Sequence, residues 1–312
     1  MRLERILYPT DFSPSSKQAL EHALFFAEQF DAELHMFHAV VLHADDPGDP
    51  GDDFPDTKEL HQAMFEVSAS RLGEWIPSER RGALRIKEVR ERGFNAAELI
   101  LDYAGDHAMD IIIMGTHGRG AAARILLGSV AERVLQHARC PVLTLRHQDE
   151  PRELEAFEKI LVPVDLSEGP SELAVAYGKE LARLYGASLQ LLHVVHETTY
   201  PSIYGIPSAL RFETLEPRCL EAMDKLMASG PGGEVAYEKH VLSGRASSEI
   251  VRFAEDSGSD LVVIPSQGLS RIEYALLGST VDQVVRRAHC PVLTIKLEGR
   301  SLLEVDPLAN RS

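Results

Sequence analysis

The stretch RILYPTDFSPSSKQALEHALFFAEQFDAELHMFHAVV, residues 5–41, decides the fold because the chain contains its pattern twice. Residues 159–195, KILVPVDLSEGPSELAVAYGKELARLYGASLQLLHVV, repeat it with one added residue. Later, GFNAAELILDYAGDHAMDIIIMGTHG recurs as GRASSEIVRFAEDSGSDLVVIPSQG, and LLGSVAERVLQHARCPVLTL recurs as LLGSTVDQVVRRAHCPVLTI. A repeat that covers nearly the whole chain indicates two homologous domains.

Each copy alternates strand-like and helix-like segments. In the first copy, RILYP is an apolar strand, and Ser13 followed by Pro14 is typical of a helix N-cap and first helical position. A second helix is predicted over residues 57–75, with Leu60, Met64, Val67 and Leu72 on one side. Apolar strands separated by helices are typical of a parallel sheet covered on both faces. The sequence therefore predicts an α/β fold with a doubly wound, five-stranded parallel sheet, built twice.

The repeat also sets the expected organisation of the chain. Domain 1 is predicted to span residues 1–147, a linker 148–158, domain 2 residues 159–298, and a polar, peripheral tail 299–312. The segments PVLTL, residues 141–145, and PVLTI, residues 291–295, are apolar edge strands. Because unprotected edges invite pairing, we expect these two strands to pair within the chain.

Composition and charge narrow the function classes. The 312 residues carry a net charge of −16, divided as −9 over residues 1–150 (16 basic, 25 acidic) and −7 over the rest. This charge disfavours nucleic-acid binding. No apolar run approaches the roughly 18 residues of a membrane span, and MRLERILYPTDF shows no cleavable leader, so a cytoplasmic location is expected. Cys140, Cys219 and Cys290 are widely spaced and predicted to be small buried hydrophobes in a reducing compartment.

One segment fits neither helix nor strand. ADDPGDPGDDFPD, residues 44–56, holds six aspartates and three prolines. Its carboxylates lack the spacing of a calcium loop, so a solvated insertion is favoured over a calcium site. The corresponding region of the second copy is aromatic and apolar. Its part around Tyr200 to Leu210 is expected to pack against a neighbouring subunit in a homodimer.

The loop GTHGRGAAARILLGS, Gly115 to Ser129, is where we expect a ligand. Ligands of an open parallel sheet bind at the carboxyl ends of the strands, where the strand order reverses. Gly115 and Gly118 leave room for a ring or sugar close to the backbone. The amides of Gly128, Ser129 and Val130 open a helix and suit an anion. Arg119 and Arg124 lie between them, and Asp11 follows the first strand.

Simpler interpretations remain open for these residues. In these interpretations the glycines serve only a sharp strand-to-helix turn, Asp11 only caps a helix, and His117 is only an exposed loop residue. The pairs His35/His38 and His193/His196 are interpreted as packing or surface residues, with zinc as the alternative. In a strand their odd spacing does not place both rings on one face.

Together these residues resemble the universal stress protein family. Gly115-x-x-Gly118, nine residues and Gly128-Ser129 match its G-x-x-G-x9-G-[ST] nucleotide motif, and Pro9, Asp11 and Ser13 match its first loop. The resemblance implies tandem Rossmann-like, adenine nucleotide alpha hydrolase-like domains that bind ATP or AMP and form an internal pseudo-dimer. It implies a nucleotide site made of Pro9, Thr10, Asp11, Ser13, Val40, Met114, Gly115, His117, Gly118, Arg119, Gly128, Ser129 and Val130.

The second copy departs from this motif. Pro265 replaces the first motif glycine, and both arginines of the loop are lost, to Leu269 and Tyr274. Proline adds a ring and removes an N–H where the backbone should be bare. We therefore expect weak, different or absent nucleotide binding in domain 2. Its candidate residues are Asp165, Gly268, Gly278, Ser279 and Thr280.

The function expected from the sequence is regulatory nucleotide binding in a stress response. The ligand in domain 1 is ATP, ADP or AMP, with or without Mg²⁺, and domain 2 is mainly structural. Hydrolysis of a γ-phosphate needs a held metal and a group that orients the nucleophile, and only Asp11 and His117 are candidates for these roles. Binding is therefore favoured over a slow ATPase or phosphotransferase. A scaffold that binds no nucleotide is the third hypothesis.

Overall fold

The computed structural model of the chain describes residues 1–41, 57–76, 78–116, 127–147, 156–196, 208–229, 233–266 and 278–304. Strands and helices alternate through both halves. The first half consists of β1 (Arg5–Pro9), α1 (Pro14–Phe30), β2 (Glu33–Val41), α2 (Thr57–Trp75), α3 (Ser78–Arg81), β3 (Ile86–Gly93), α4 (Ala96–Asp106), β4 (Ile111–Gly115), α5 (Ser129–His137) and β5 (Val142–Leu145).

The second half repeats this order apart from α3. It consists of β6 (Lys159–Pro163), α6 (Pro170–Tyr185), β7 (Ser188–His196), α7 (Ser208–Ala228), β8 (Tyr237–Gly244), α8 (Ala246–Ser257), β9 (Leu261–Pro265), α9 (Ser279–Arg287) and β10 (Val292–Ile295). The α/β fold and its two-fold repetition are confirmed.

The strands form one sheet in the order β3-β2-β1-β4-β5-β10-β9-β6-β7-β8. Within each half all neighbours are parallel, as in β1 with β2 and β4 with β5. The halves meet where β5 and β10 run antiparallel, with Leu143 opposite Leu293. This contact is the one the sequence predicts for residues 141–145 and 291–295, and it covers an edge that each half would otherwise expose.

Helices cover both faces of the sheet. One core contains buried residues of α1, α2, α6 and α7, and the other contains buried residues of α4, α5, α8 and α9. Strand β4 shows why a near-continuous apolar run is needed, because Ile111, Ile112, Ile113 and Met114 are all buried between these layers. Helix α1 begins as predicted, with Ser13 as its N-cap and Pro14 in its first turn.

The predicted polar linker and peripheral tail are wrong at their described ends. Phe157 is buried, and its ring lies 6.1 Å from Phe25 and 5.2 Å from Tyr185, between α1 and α6. In the tail, Leu302 is 3% exposed, and its N–H donates to the hydroxyl of Tyr177 in α6 at 2.8 Å. These apolar residues enter the core because the junction between the halves leaves a seam that they fill.

Residues 299–304 continue across this seam as a strap from the second half to the first. The Arg300 guanidinium pairs with Asp110 Oδ1 at 2.6 Å, and the Arg300 N–H donates to Arg139 O at 2.7 Å. The N–H of Arg2 donates to Leu302 O at 2.8 Å. Asp110 Oδ2 also accepts the Glu4 and Arg5 amides, so one carboxylate joins the strap to the start of β1.

Helix α2 differs from the predicted orientation. Leu72 is fully buried, but Met64 is 39% and Val67 is 57% exposed. The buried side contains Ser68 and Leu72, which lie one turn apart. It therefore passes through Leu72 as predicted but is rotated away from Val67, which lies about 100° from Ser68 around the helix. The burial of Leu60 lies outside the described residues.

Candidate functional site

The described residues of the predicted first-half site lie where the topology changes direction. From β1 the chain builds β2 and β3 on one side, and it then crosses to place β4 on the other side of β1. Leu7 of β1 pairs with Ile112 of β4, so the loops that leave both strands start from the same edge of the sheet. In doubly wound folds this switch point is where ligands bind.

The loop after β1 is shaped by its own hydroxyl and carboxylate groups. The Thr10 hydroxyl accepts the Phe12 N–H at 3.0 Å, and Asp11 Oδ1 accepts the Ser13 N–H at 3.0 Å. Phe12 between them has a φ of 61°, which is uncommon for a residue with a side chain. The Ser13 hydroxyl accepts the Ser16 N–H at 3.2 Å, so its described contact is the helix cap.

Aromatic side chains of β2 and α2 contact the loop after β1. His38 of β2 donates from Nδ1 to Thr10 O at 2.7 Å, because a carbonyl oxygen only accepts. The ring of Phe12 lies 4.6 Å from His38 and 5.3 Å from Trp75. Trp75 donates in turn to the hydroxyl of Tyr8, and burial raises the pKa of that hydroxyl to about 12. His38 thus acts through packing, as predicted for the paired histidines.

Packing against Ser15 requires glycine at position 115, and the sequence does not reveal this. A Cβ at this position would lie 2.4 Å from Ser15 Oγ and 2.9 Å from the Ser15 backbone carbon. The end of β4 therefore packs directly against the first turn of α1. Ser15 occupies the space that a side chain at position 115 would take, so packing gives Gly115 a reason of its own. That Gly115 also makes room for a base or sugar stays a prediction.

The start of α5 closes the motif loop. Gly128 is the N-cap of α5, and its N–H donates to Thr116 O at 2.8 Å. This bond brings the helix start to the end of β4. It also corrects the prediction that the Gly128 amide serves an anion. The amides of Ser129 and Val130 keep that capacity, because the first amides of a helix have no partner within it and a glycine N-cap has no side chain to cap them.

The remaining predicted residues fall into two groups. Pro9, Val40 and Met114 are buried at the carboxyl ends of β1, β2 and β4. Backbone pairing places Val40 opposite Arg92 and Met114 opposite Thr144. Another set of predictions lies outside the described residues, namely His117, Gly118, Arg119, Arg124, Gly268, Leu269, Tyr274 and the segments 44–56 and 200–207.

The second copy keeps the framework but uses its aspartate differently. Asp165 Oδ1 accepts the Ser167 N–H at 3.0 Å and the Ser171 hydroxyl at 2.8 Å. In the first copy the corresponding hydroxyl, on Ser16, lies 3.1 Å from the Thr10 hydroxyl. Val164 follows β6 where Thr10 follows β1, so the second loop has no hydroxyl at that position and Ser171 turns to the carboxylate.

The closing bond of the loop is retained in the second copy. The Gly278 N–H donates to Ser266 O at 3.2 Å, and Gly278 is the N-cap of α9, whose first two residues are Ser279 and Thr280. Helix α6 begins after the longer loop 164–169, in which Gly169 has a φ of 85°. The two copies thus share the loop base and differ in how the first helix approaches the sheet.

Two functional candidates were missed from the sequence. Ser15 is 3% exposed, and within the described part of the chain its Oγ has no hydrogen-bond partner. Thr116 is 1% exposed and holds the base of the motif loop through its backbone carbonyl. Only the packing of α1 against β4 marks Ser15, because serine in a first helical turn is ordinary in sequence.

The three cysteines are buried, as predicted from the sequence, and the described helices are too short or too polar to cross a membrane. Cys140, Cys219 and Cys290 are free and buried. Burial raises the pKa of the Cys140 and Cys290 thiols to about 12. Among the described helices, none has the length and apolar character needed to span a bilayer.

Comparison with known proteins gives a consistent result. The model of the "Universal stress protein family" matches residues 2–146 and again 156–296. A universal stress protein of Methanocaldococcus jannaschii is 31% identical over 144 residues, covering 45% of this chain and 82% of that protein. One from Synechocystis is 30% identical over 217 residues, covering 69% of this chain and 67% of that protein.

The fold has solved counterparts of the same length. The crystal structure of a universal stress protein from Archaeoglobus fulgidus superposes with a TM-score of 0.64 at 24% identity, covering 96% of this chain and 97% of that one. At this identity the likeness shows the fold. With the double match to the family model, the conclusion is that the chain belongs to the universal stress protein family and carries its domain twice in tandem.

Proposed function

We propose that this chain is a cytoplasmic stress-response protein whose first half binds one adenine nucleotide, ATP, ADP or AMP, as a regulatory signal. The second half is mainly structural. The observation that carries the proposal is the bond from Gly128 N–H to Thr116 O, because it brings the start of α5 to the ends of β1 and β4. Membership of the family and the complete first motif support it.

The residues at this edge fit an oxygen-rich ligand. The N-terminus of α5 offers amides and a positive dipole end to phosphate oxygens, and the Ser129 hydroxyl lies beside them. Ser15 Oγ is a buried polar atom that lacks a partner within the described chain, and it lies next to Gly115. Such a group is costly unless it is hydrogen-bonded, so a ligand or water that bonds to it would be stabilised.

In this proposal each part of the site has one task. Ser129 and Val130 bind the phosphates, Asp11 accepts a hydrogen bond from a ribose hydroxyl or the adenine, and the Val40 backbone lies beside the base. The resemblance adds Met114, His117, Gly118 and Arg119 from the loop. Buried free cysteines agree with a reducing compartment.

The test compares the two equivalent motif glycines. Isothermal titration of the full chain with ATP, ADP, AMP and cyclic AMP, with and without Mg²⁺, is expected to give one site per chain. Gly118→Val should abolish it, because the added side chain occupies the motif. The matched variant Gly268→Val should bind as the wild type does. No binding to the wild type would support the nucleotide-independent scaffold, and phosphate release during the titration would support a slow ATPase.

A further inference from the structure

The second half contacts both ends of the helix that we assign to phosphate binding. Arg286 of α9 places Nη2 3.3 Å from Glu132 Oε2, in the first turn of α5. Lys296, directly after β10, donates from Nζ to Leu135 O in the last turn of α5. The Arg286 side chain is 19% exposed and the Glu132 side chain 40% exposed, so this contact is partly shielded from solvent.

Glu132 is unfavourable for an anionic ligand. A carboxylate in the first turn of a helix interacts well with the helix dipole, but it repels a phosphate placed at the same end. Glu132 lies one turn from Ser129, on the same side of α5. Unless its charge is offset, Glu132 lowers the affinity of the α5 N-terminus for phosphate.

The arginine that offsets this charge is present in one half only. Arg286 also bonds to Asp282, with Nε 2.8 Å from each carboxylate oxygen, so it joins the acidic residues of both first turns. At the position of Arg286, the first half has Gln136 in SVAERVLQH, aligned with STVDQVVRR. The contact is therefore not reciprocal, and it runs from the degenerate copy to the intact one.

We propose that Arg286 is a positioning residue of the first-half nucleotide site. By pairing with Glu132 it neutralises the carboxylate that faces the phosphates, and it holds α5 at the junction of the halves. The second half thus sets the affinity of the first half for the charged part of the nucleotide, although its own motif is broken. This inference rests on the proposed function.

Titrations of the full chain with ATP, AMP and adenosine test it. Arg286→Gln is expected to weaken ATP binding about threefold to tenfold, because the Glu132 carboxylate is then released from its ion pair and is free to approach the phosphates in a partly solvated site. AMP should be affected less and adenosine not at all. Arg286→Lys keeps the charge and should remain within about twofold of the wild type. Arg287→Gln, an exposed neighbour on the same helix, is the control for net charge.

A double-mutant cycle tests whether Arg286 affects nucleotide binding through Glu132. Glu132→Gln alone should strengthen ATP binding, and adding Arg286→Gln to it should have a much smaller effect than it has on the wild type, because the carboxylate that Arg286 holds is gone. The ATP dissociation constant should rise less steeply with salt in Arg286→Gln, because removing a cation near the phosphates lowers the net attraction that salt screens. Melting curves without nucleotide verify that each variant is folded.

The outcomes separate this inference from the proposed function. If the wild type binds nucleotide and Arg286→Gln binds ATP equally well, or loses ATP and adenosine in the same proportion, the role of Arg286 is refuted and the site stands. If the effects of Glu132→Gln and Arg286→Gln simply add, the two residues act independently and the inference also fails. A wild type that binds no nucleotide overturns both proposals.

Discussion

The two halves place their first helix on the sheet in different ways. In the first half the close approach is at the end of β4, where Gly115 lies against Ser15 of α1. In the second half it is in the middle of α6, where a Cβ on Gly178 would lie 2.6 Å from Val162 Cγ2. At the position of Gly178 the first half has Ala23, which is fully buried. The same fold is thus packed tightly at two different points.

The halves also differ at the end of the strand that precedes the motif loop. Strand β4 ends at Gly115, against Ser15 of α1, whereas β9 ends at Pro265, and α6 follows a longer loop that turns through Gly169. In the proposed function, the halves also differ as ligand sites in the loop after the first strand, which has Thr10 in one half and Val164 in the other.

The largest expected effect is on stability. Gly115→Ala should lower the free energy of unfolding by about 1–3 kcal/mol, because the methyl group meets backbone atoms of Ser15 that cannot move aside easily. Gly178→Ala should cost less, since the atoms it meets are ends of side chains. Urea unfolding without nucleotide measures both. The control Gly73→Ala, in α2 with nothing within 4 Å, should be neutral or stabilising.

The order of these costs decides between the two reasons for Gly115. If Gly115→Ala unfolds like the wild type and only nucleotide affinity falls, the glycine is there for the ligand and the packing argument is wrong. If stability falls and the nucleotide affinity of the folded protein is kept, packing alone requires it.

A smaller, pH-dependent effect is expected from the symmetric pair Lys296 and Arg146. Lys296 bonds to Leu135 O of α5, and Arg146 bonds to Arg287 O of α9 at 3.3 Å. Burial lowers the pKa of the Lys296 amine from its ordinary value of 10.5 to about 8. Between these values the unfolded chain binds more protons, so the contribution of Lys296 to stability rises with pH, by at most about 1.4 kcal/mol per pH unit.

Melting curves of the wild type and Lys296→Met from pH 7.5 to 9.5 measure this contribution. The difference in melting temperature should shift in favour of the wild type as pH rises. Lys296→Arg reproduces the residue of the other half, and its difference from Lys296→Met should stay flat because arginine keeps its proton. A flat difference for the wild type as well would show that the amine is not desolvated.

The smallest expected effect is on the second site. Pro265→Gly restores the missing motif glycine, but Val164 still lacks the hydroxyl of Thr10, and Asp165 still accepts the Ser171 hydroxyl. Titration with ATP should therefore keep one nucleotide per chain. A second site of similar affinity would mean that the proline alone had blocked binding, and the loop chemistry would lose its importance.

Much of the fold could be predicted because its signals are local. Apolar strands, the Ser13 cap and the internal repeat can all be recognised along the chain. They predict the α/β class, the repetition of the domain and the pairing of the two edge strands. The orientation of α2 and the burial of Phe157 and Leu302 could not be predicted. These features depend on which other element packs against the helix or the segment. Phe157 and Leu302 each stand in a mostly polar segment of the sequence, so the sequence does not show that they are buried.

The candidate site divides in the same way. The motif placed Asp11, Gly115, Gly128 and Ser129 in one region, and the structure brings their strands and helix to one edge of the sheet. The individual roles changed, since Gly115 meets Ser15 and the Gly128 amide bonds to Thr116. A motif in the sequence shows where along the chain a glycine or an amide stands. It does not show which atom of another element that glycine or amide contacts.

By itself the sequence determined that this protein has two copies of one α/β domain and that only the first copy has the full motif. Both facts follow from residue types at fixed spacing. The tertiary structure decided how the copies depend on each other, through the strap at Arg300 and the contact of Arg286 with Glu132. These pairs are more than 150 residues apart in sequence, and only packing across the β5–β10 junction brings their charges together.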